Sequence, residues 1–198
     1  MRLEVQNYCN GIGGSRLLVQ GAGGNISWKD NDSLWVKASG RWIKNALRED
    51  IFVQVNLEKL IASISSGKFD VIPEVIGSSS EKASIETMLH AMLPQKIVLH
   101  LHPIEILVHL IRTDSRKIIS ELDSKDFNPT YIPYRQPGGE LAQLISSKIV
   151  SNKMTDLLYL ENHGIVIGGE TITDIDKKLR RLISNAAILC NFKENLVT

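Results

Sequence analysis

Hydrophobic and polar residues alternate over several short stretches of the chain, a pattern that predicts β-strands. Residues 25–29 alternate before the polar turn at 30–33, and 34–37 is the expected hairpin partner. β-Branched and apolar residues cluster between turn residues in four further stretches. These additional predicted strands are 51–55, 96–102, 157–160 and 164–167.

Apolar residues recur at helical spacing in other parts of the chain. In the stretch 82–93 they fall three or four positions apart, and Pro94 ends the predicted helix. Residues 114–139 follow neither period clearly. Further helices are predicted at 58–66, 104–111, 140–150 and 174–192. Because no composition shift or linker divides this series, we expect one α/β domain over residues 1–198.

Composition and charge narrow the class of protein. The 198 residues are 43% hydrophobic and 23% charged, which excludes a disordered or collagen-like chain. The formal net charge of +1 provides no long-range field for nucleic acid or an anionic membrane, so we expect neither as a partner. Two cysteines without metal-type spacing, no leader and no membrane-length apolar run favour a soluble cytoplasmic protein.

Three histidines are candidate metal ligands. His100 and His102 lie two positions apart in a predicted strand, so both imidazoles project from one face. A pair of partly buried structural histidines is the alternative interpretation of such a motif on its own. His163 lies in a polar break between two predicted strands, where it can supply a third imidazole. Three imidazoles suit zinc and leave a coordination position open for a substrate.

Two glutamates compete for the role of general acid or base. Ser78 and Glu81 have the spacing of a capping box, which would explain Glu81 as a helix-start residue. Glu86 lacks such an explanation, and it lies one helical turn before His90, on the helix that leads to the histidine strand. A solvated surface position is the alternative interpretation of Glu86.

Glycine-rich turns provide a candidate anion site. The stretch 21–25 can present successive backbone N–H groups as a nest, and Ser39 with Gly40 adds a hydroxyl and an open amide. The two common nucleotide-binding glycine motifs, GxxxxGK(S/T) and GxGxxG, are both absent from the sequence. We expect the earlier cluster at 11–14 to be a tight turn without a ligand, and His109 to be a helix residue that faces solvent or core.

Five short motifs, in this order along the chain, resemble the class II aldolase/adducin family, with a likeness to its rhamnulose-phosphate-aldolase-like branch. The motifs are Gly21-Ala22-Gly23-Gly24-Asn25-Ile26-Ser27, Leu34-Trp35-Val36-Lys37-Ala38-Ser39-Gly40, Ser84-Ile85-Glu86-Thr87-Met88-Leu89-His90, His100-Leu101-His102-Pro103 and Glu161-Asn162-His163-Gly164. The resemblance implies a three-layer α/β/α sandwich with a mixed, mostly antiparallel central sheet. It also implies a homotetramer with sites between subunits.

The resemblance also implies residue roles. His100, His102 and His163 would bind a divalent metal, most simply Zn²⁺, and Glu86 would move the proton. The substrate phosphate would be held by Gly23, Gly24, Asn25, Ser39, Gly40 and Ser84. One departure from the family pattern is Ile85, which stands where many members have a second phosphate-binding hydroxyl. Tyr131 and Tyr134 are the candidates for a tyrosine that protonates the aldehyde side.

The function that the resemblance implies is metal-dependent aldol cleavage. The substrate would be a ketose 1-phosphate of the rhamnulose or fuculose type, and the products dihydroxyacetone phosphate and a short aldehyde such as lactaldehyde. A sugar-phosphate 4-epimerase or a dehydratase on the same metal site is an alternative. A non-catalytic, adducin-like interaction module is an alternative of another class.

Overall fold

A single β-sheet is the framework on which the helices pack. The structure is a computed structural model that describes residues 1–122, 127–150, 152 and 154–189. The strands of the sheet are β1 (Asn25–Asp30), β2 (Ser33–Lys37), β3 (Phe52–Asn56), β4 (Ile97–Leu101), β5 (Pro129–Ile132), β6 (Leu157–Leu160) and β7 (Gly164–Gly169). The helices are α1 (Arg2–Ile12), α2 (Leu57–Ser65), α3 (Thr87–Met92), α4 (Ile104–Leu110), α5 (Ser115–Leu122), α6 (Gly139–Ile149) and α7 (Ile172–Leu189).

The strand order in the sheet is β3-β2-β1-β4-β7-β6-β5. The pairings are antiparallel except for the parallel pair of β5 and β6, which confirms the expected mixed, mostly antiparallel sheet. Strand β4 lies in the middle, between β1 and β7. Its register places His100 opposite Asn25 on one side and opposite Val166 on the other.

Apolar side chains cover both faces of the sheet, which confirms the three-layer α/β/α arrangement. On one face, strand residues such as Ile26 and Leu99 form a core with α1, α4, α5 and α7. On the opposite face, residues such as Val36 and Val98 pack with α2, α3 and α6. Because side chains alternate along a strand, His100 shares the face of Val98 and therefore points toward the layer of α3 and α6.

The predicted helix 82–93 is wrong over its first five positions, since α3 begins only at Thr87. Residues before it pair with the loop after β2 instead: Ala83 bridges Ala38, and the Ser39 N–H donates to the Lys82 carbonyl at 2.9 Å. Tertiary pairing therefore takes precedence over local helical spacing in this stretch. As a result, Ile85 is 67% exposed instead of lying on a buried helix face.

The predicted capping box of Ser78 and Glu81 is also wrong, because no helix begins at these residues. The Glu81 carboxylate accepts two hydrogen bonds from the Arg41 guanidinium, at 2.5 and 3.1 Å. This ion pair joins the loop after β2 to the segment before α3. Glu81 therefore stabilises a contact between two loops.

The other predicted strands and helices lie within two residues of their observed bounds, with the predicted positions 190–192 falling outside the described residues. Helix α1 was not predicted, and it includes Gly11, so the expected turn is confined to the residues that follow it. The mixed stretch contains α5 and β5. Among the described residues, no helix combines the length and apolarity needed to cross a membrane.

Gly164 begins β7 directly after His163 and packs closely against β4. A Cβ atom at this position would fall against the Leu101 carbonyl oxygen and 2.8 Å from Cδ2 of His102. The absence of a side chain at residue 164 therefore allows the turn that carries His163 to approach the end of β4.

Gly164→Ala is expected to lower the free energy of unfolding by about 1–3 kcal/mol, because the backbone must shift to accommodate the methyl group. Urea unfolding measures this change. Gly14→Ala is the matched control, because no atom lies within 4 Å of its added Cβ. Equal stabilities of the two variants would show that the close approach at Gly164 is not restrictive.

Candidate metal centre and active site

Three histidine side chains meet at one end of the central strands. His100 lies in β4, His102 follows that strand directly, and His163 lies in the turn between β6 and β7. Antiparallel pairing of β4 with β7 brings this turn beside the end of β4. One ring nitrogen from each histidine lies within 4.8 Å of the others, and Nε2 of His100 is 3.0 Å from Nε2 of His102.

The spacing and protonation of these imidazoles fit a divalent metal ion. Zinc–nitrogen distances of about 2.0–2.1 Å in a tetrahedral site place ligand nitrogens about 3.3 Å apart, close to the 3.0 Å between Nε2 of His100 and Nε2 of His102. Burial lowers the pKa of His100, His102 and His163 to about 4, so all three rings are neutral near pH 7. Neutral imidazole is the form that binds a metal.

A backbone contact orients one of the three rings. His100 Nδ1–H donates to the Ile165 carbonyl at 2.9 Å, which leaves Nε2 directed at the other two histidines. Such an outer hydrogen bond is typical of metal-binding histidines, because it sets both the tautomer and the ring orientation. The pairing of β4 and β7 thus orients His100 as well as bringing His163 near it.

Glu86 places a carboxylate at the same centre. It is the residue immediately before α3, and its Oε1 lies 3.3 Å from Nε2 of both His100 and His163. Burial raises the pKa of Glu86, and the nearby His163 and His102 partly oppose this increase. A carboxylate whose pKa is raised, and which lies beside a metal site, is a candidate for a general acid or base.

The glycine loop packs directly against the histidine cluster. A Cβ at Gly23 would lie 3.3 Å from Nδ1 of His102, and one at Gly24 would lie 3.1 Å from the His100 carbonyl oxygen. Gly24 also has a φ of +70°, in the left-handed region that favours glycine. Gly23 is therefore required for space, and Gly24 for both space and backbone conformation.

The Asn25 side chain offers a buried amide beside the histidine cluster. Its side chain is 1% exposed, and neither Oδ1 nor Nδ2 has a hydrogen-bond partner among the described residues. Buried amide groups are normally hydrogen-bonded, because leaving one unpaired costs about 1–3 kcal/mol. Asn25 lies opposite His100 in the sheet, so a ligand bonded to this amide would lie beside the histidine cluster.

The other predicted phosphate-binding residues lie on two adjacent loops. Ser39 and Gly40 follow β2, and the bridge between Ala38 and Ala83 places them next to the segment that contains Ser84. Ser39 and Gly40 are exposed, whereas Ser84 is largely buried. The Ser84 Oγ accepts a hydrogen bond from the Glu86 N–H at 3.2 Å, so its own O–H can still donate.

Lys37 is a residue of this region that the sequence analysis did not single out. Its side chain is 3% exposed, and Nζ donates to the carbonyls of Ala22, Ala38 and Arg41 at 3.3, 3.2 and 2.8 Å. Burial lowers its pKa to about 8, and Glu86 opposes this decrease. Lys37 therefore ties the glycine loop to the Ser39 loop, and its sequence signal was its position directly before the Ala38-Ser39-Gly40 turn.

The remaining two histidines are buried and do not belong to the three-imidazole cluster. His90 lies in α3, and its Nδ1 is 2.8 Å from the Ser27 Oγ. His109 lies in α4, and its Nε2–H donates to the Ala186 carbonyl of α7 at 3.0 Å, so it faces the core.

The two candidate tyrosines differ in their surroundings. The Tyr131 hydroxyl is hydrogen-bonded to Ser115 Oγ at 2.8 Å, and its ring packs on the core face opposite α3. Tyr134 is half-exposed, and its N–H donates at 2.8 Å to the carboxylate of Glu161, which lies two residues before His163. Of the two, Tyr134 is the one whose side chain is open to solvent near the turn that carries His163.

A family comparison agrees with this geometry. Residues 4–188 match the family model described as the class II aldolase and adducin N-terminal domain. The chain belongs to the class II aldolase and adducin family. Members of this class of aldolase use a divalent metal, typically zinc, and the three-histidine cluster is consistent with that chemistry.

Several solved structures resemble this chain over nearly its whole length. The N-terminal class II aldolase domain of a conserved protein from Thermoplasma acidophilum has a TM-score of 0.78 and 27% identity, covering 95% of this chain and 92% of that one. A sugar-phosphate aldolase from Thermotoga maritima has a TM-score of 0.73 and 16% identity, covering 100% of this chain and 96% of that one. The L-fuculose-1-phosphate aldolase from Thermus thermophilus has a TM-score of 0.64 and 15% identity, covering 100% of both chains. At this level of identity, the similarity to the Thermotoga maritima and Thermus thermophilus structures shows a shared fold.

One relative is much longer than this chain. The uncharacterized oxidoreductase YuxG of Bacillus subtilis (strain 168) is 29% identical over 211 residues, which include 97% of this chain. This chain spans 30% of that relative's length. The similarity therefore concerns one portion of a larger protein.

The three-histidine cluster predicts a metal stoichiometry of one divalent ion per chain in protein purified without chelator. Each of the variants His100→Ala, His102→Ala and His163→Ala should lose more metal affinity than the factor of about 10–100 that is typical when only a residue behind the ligands is changed. Isothermal titration with Zn²⁺ and elemental analysis measure this effect. His109→Ala, a buried histidine in another layer, should retain the ion; equal retention by all four variants would contradict the site.

The lowered imidazole pKa values predict that the metal-free protein loses stability as the pH falls from about 6.5 to about 4. In this window the unfolded chain protonates its histidines near pH 6.5, whereas the folded rings stay neutral until about pH 4. The unfolded state therefore binds more protons and is favoured at lower pH. Urea unfolding at several pH values compares wild type with the triple variant His100→Gln, His102→Gln, His163→Gln. The free energy of unfolding of the triple variant should change less with pH.

Proposed function

We propose that this protein is a metal-dependent aldolase that reversibly cleaves a ketose 1-phosphate to dihydroxyacetone phosphate and a short aldehyde. The observation that carries the proposal is the largely buried Glu86 carboxylate, 3.3 Å from two of three clustered imidazoles. A metal site needs such a carboxylate for reversible proton transfer at carbon, whereas a purely structural zinc site is closed by its ligands.

His100, His102 and His163 are the proposed ligands of a divalent ion, most simply Zn²⁺. When bound, this ion would polarise the carbonyl and hydroxyl oxygens of a hydroxyketone and so acidify the adjacent carbon. The uncharged imidazoles support this role, because they leave the charge of the ion uncompensated. The burial of His100 also keeps water away from one side of the centre.

Glu86 is the proposed proton carrier. In the cleavage direction, the bond between the third and fourth ketose carbons breaks, and the fourth carbon becomes the aldehyde as its hydroxyl proton passes to solvent by way of the Tyr134 phenol. The third carbon then receives a proton from Glu86 Oε1. In condensation, Glu86 removes that same proton. Burial raises its pKa, which makes the protonated form that donates to carbon easier to reach.

The phosphate group would lie among the loops that Lys37 joins. The unpaired Asn25 amide, the backbone of Gly23 and Gly24, and the donors of Ser39, Gly40 and Ser84 are the proposed contacts. Their support is the buried Asn25 amide without a partner among the described residues and the free donor capacity of Ser84. Lys37 Nζ is engaged by three carbonyls, so its proposed role is to hold these loops in place.

Tyr134 is the proposed acid for the aldehyde oxygen, because Tyr131 is already bonded to Ser115 on the other face of the sheet. Tyr134 is half-exposed and lies on the segment held by Glu161, near the turn of His163. In the homotetramer that we propose from the family resemblance, such an exposed tyrosine would be available to a site that a second subunit completes.

Product analysis tests the proposed reaction. Zinc-loaded protein with ketose 1-phosphates should release dihydroxyacetone phosphate, and Glu86→Gln should lower this rate by about 10²–10⁴-fold with the metal retained. Glu74→Gln is the matched control, because that carboxylate is exposed and paired with Lys59 away from the site. Unphosphorylated sugars should react much more slowly if the loops bind phosphate.

Each other outcome identifies a different activity. Inversion of a pentulose phosphate without loss of carbon would indicate an epimerase, and loss of water would indicate a dehydratase. Protein without stoichiometric metal and without turnover would favour the non-catalytic, adducin-like alternative.

A further inference from the structure

A buried polar contact joins α3 to the sheet beneath the proposed site. Ser27 Oγ of β1 and His90 Nδ1 of α3 lie 2.8 Å apart, and both side chains are fully buried. Burial lowers the pKa of His90 well below its ordinary value, so the ring is neutral. A neutral imidazole and a hydroxyl form an uncharged hydrogen bond that does not depend on salt or exposed charge.

The two partners of this contact belong to the elements that carry the proposed chemistry. Ser27 lies two residues after Asn25 on the same face of β1, and Asn25 is paired with His100 of β4. His90 lies one helical turn after Glu86, and its N–H donates to the Glu86 carbonyl at 3.2 Å. The Ser27–His90 contact thus connects the strand beside the metal ligands to the helix beside the proton carrier.

Helix α3 takes its position from tertiary contacts with the rest of the fold. It has only six residues, and no side chain caps its N-terminus at Glu86. So short a helix has little stability of its own, and its placement comes from tertiary packing. Its apolar residues, such as Met88 and Leu89, pack in a core that favours burial without imposing a direction. A hydrogen bond is directional, so it restricts rotation and sliding of the helix.

We propose that Ser27 and His90 form a positioning pair that holds Glu86 in place at the metal centre and serves proton transfer rather than metal binding. The inference rests on the proposed function for the role of Glu86. A shift of about 1 Å in a reacting group can cost about 10²-fold in rate. Glu86 is sensitive to such a shift, because its Oε1 lies at 3.3 Å from two different imidazoles.

Ser27→Ala tests the pair by removing only the hydroxyl. We expect the rate of hydrogen exchange at the carbon beside the carbonyl of dihydroxyacetone phosphate to fall by about 10–100-fold. Zinc affinity and the KM should change by less than about threefold, since neither the ligands nor the phosphate loops are altered. Ser27→Thr, which keeps the hydroxyl, should recover most of the lost rate of hydrogen exchange.

Ser115→Ala is the matched control. Ser115 is also a buried serine with a hydroxyl contact of 2.8 Å, to Tyr131, but it lies in the layer on the other face of the sheet. Both alanine variants should lose a similar amount of stability in urea unfolding, whereas only Ser27→Ala should lose exchange rate. Equal exchange rates in Ser27→Ala and wild type would overturn the proposal.

A double-mutant cycle tests whether the pair acts through Glu86. In a Glu86→Gln background, Ser27→Ala should cause no further loss of exchange, because the group that it positions is already absent. A further loss equal to that seen in wild type would overturn the proposal.

Crystal structures of zinc-loaded wild type and Ser27→Ala provide a readout that does not depend on activity. The Glu86 carboxylate should move by about 1 Å or more relative to the histidines in Ser27→Ala and should stay in place in Ser115→Ala. An unmoved carboxylate in Ser27→Ala would overturn the positioning role. If wild type cleaves no ketose phosphate, the proposed function fails, and the two crystal structures still decide whether the pair positions Glu86.

Discussion

The antiparallel pairing of β4 with β1 and β7 is the constraint on which the candidate site depends. This register places Asn25 opposite His100 and brings the turn that carries His163 to the end of β4. Because side chains alternate along a strand, a slip of one residue would turn His100 toward α4 and α7. Gly164 allows the close approach of β7, since a Cβ there would meet the Leu101 carbonyl.

Burial at this end of the sheet accounts for the electrostatics of the site. Removal from water disfavours charge, so it lowers the pKa of the three histidines and raises that of Glu86. One physical cause thus keeps the imidazoles available as ligands and the carboxyl group able to accept or release a proton. The same burial makes the unpaired Asn25 amide costly unless a ligand completes it.

Residues that carry a local signal were the ones that could be found from the sequence. His100 and His102 are two apart in an apolar stretch, and His163 precedes a glycine in a polar break, so strand and turn geometry suggested their convergence. The Lys37–Ala22 and Ser27–His90 contacts have no comparable local signal, because each joins residues that are distant in the chain. The helical spacing at 82–86 was misleading, since pairing of Ala83 with Ala38 outweighs local propensity there.

The family resemblance of the five motifs supplied the glutamate and the glycines of the candidate site, whereas periodicity and spacing were enough to define the α/β class, most strands and helices, and the three candidate histidines. Those features depend on neighbours in sequence, through backbone geometry and side-chain alternation. Tertiary packing determined the first residue of α3 and the burial of the ionisable groups. It also placed Glu86 3.3 Å from two imidazoles. These outcomes depend on contacts between residues up to about eighty positions apart, and such contacts leave no period in the sequence.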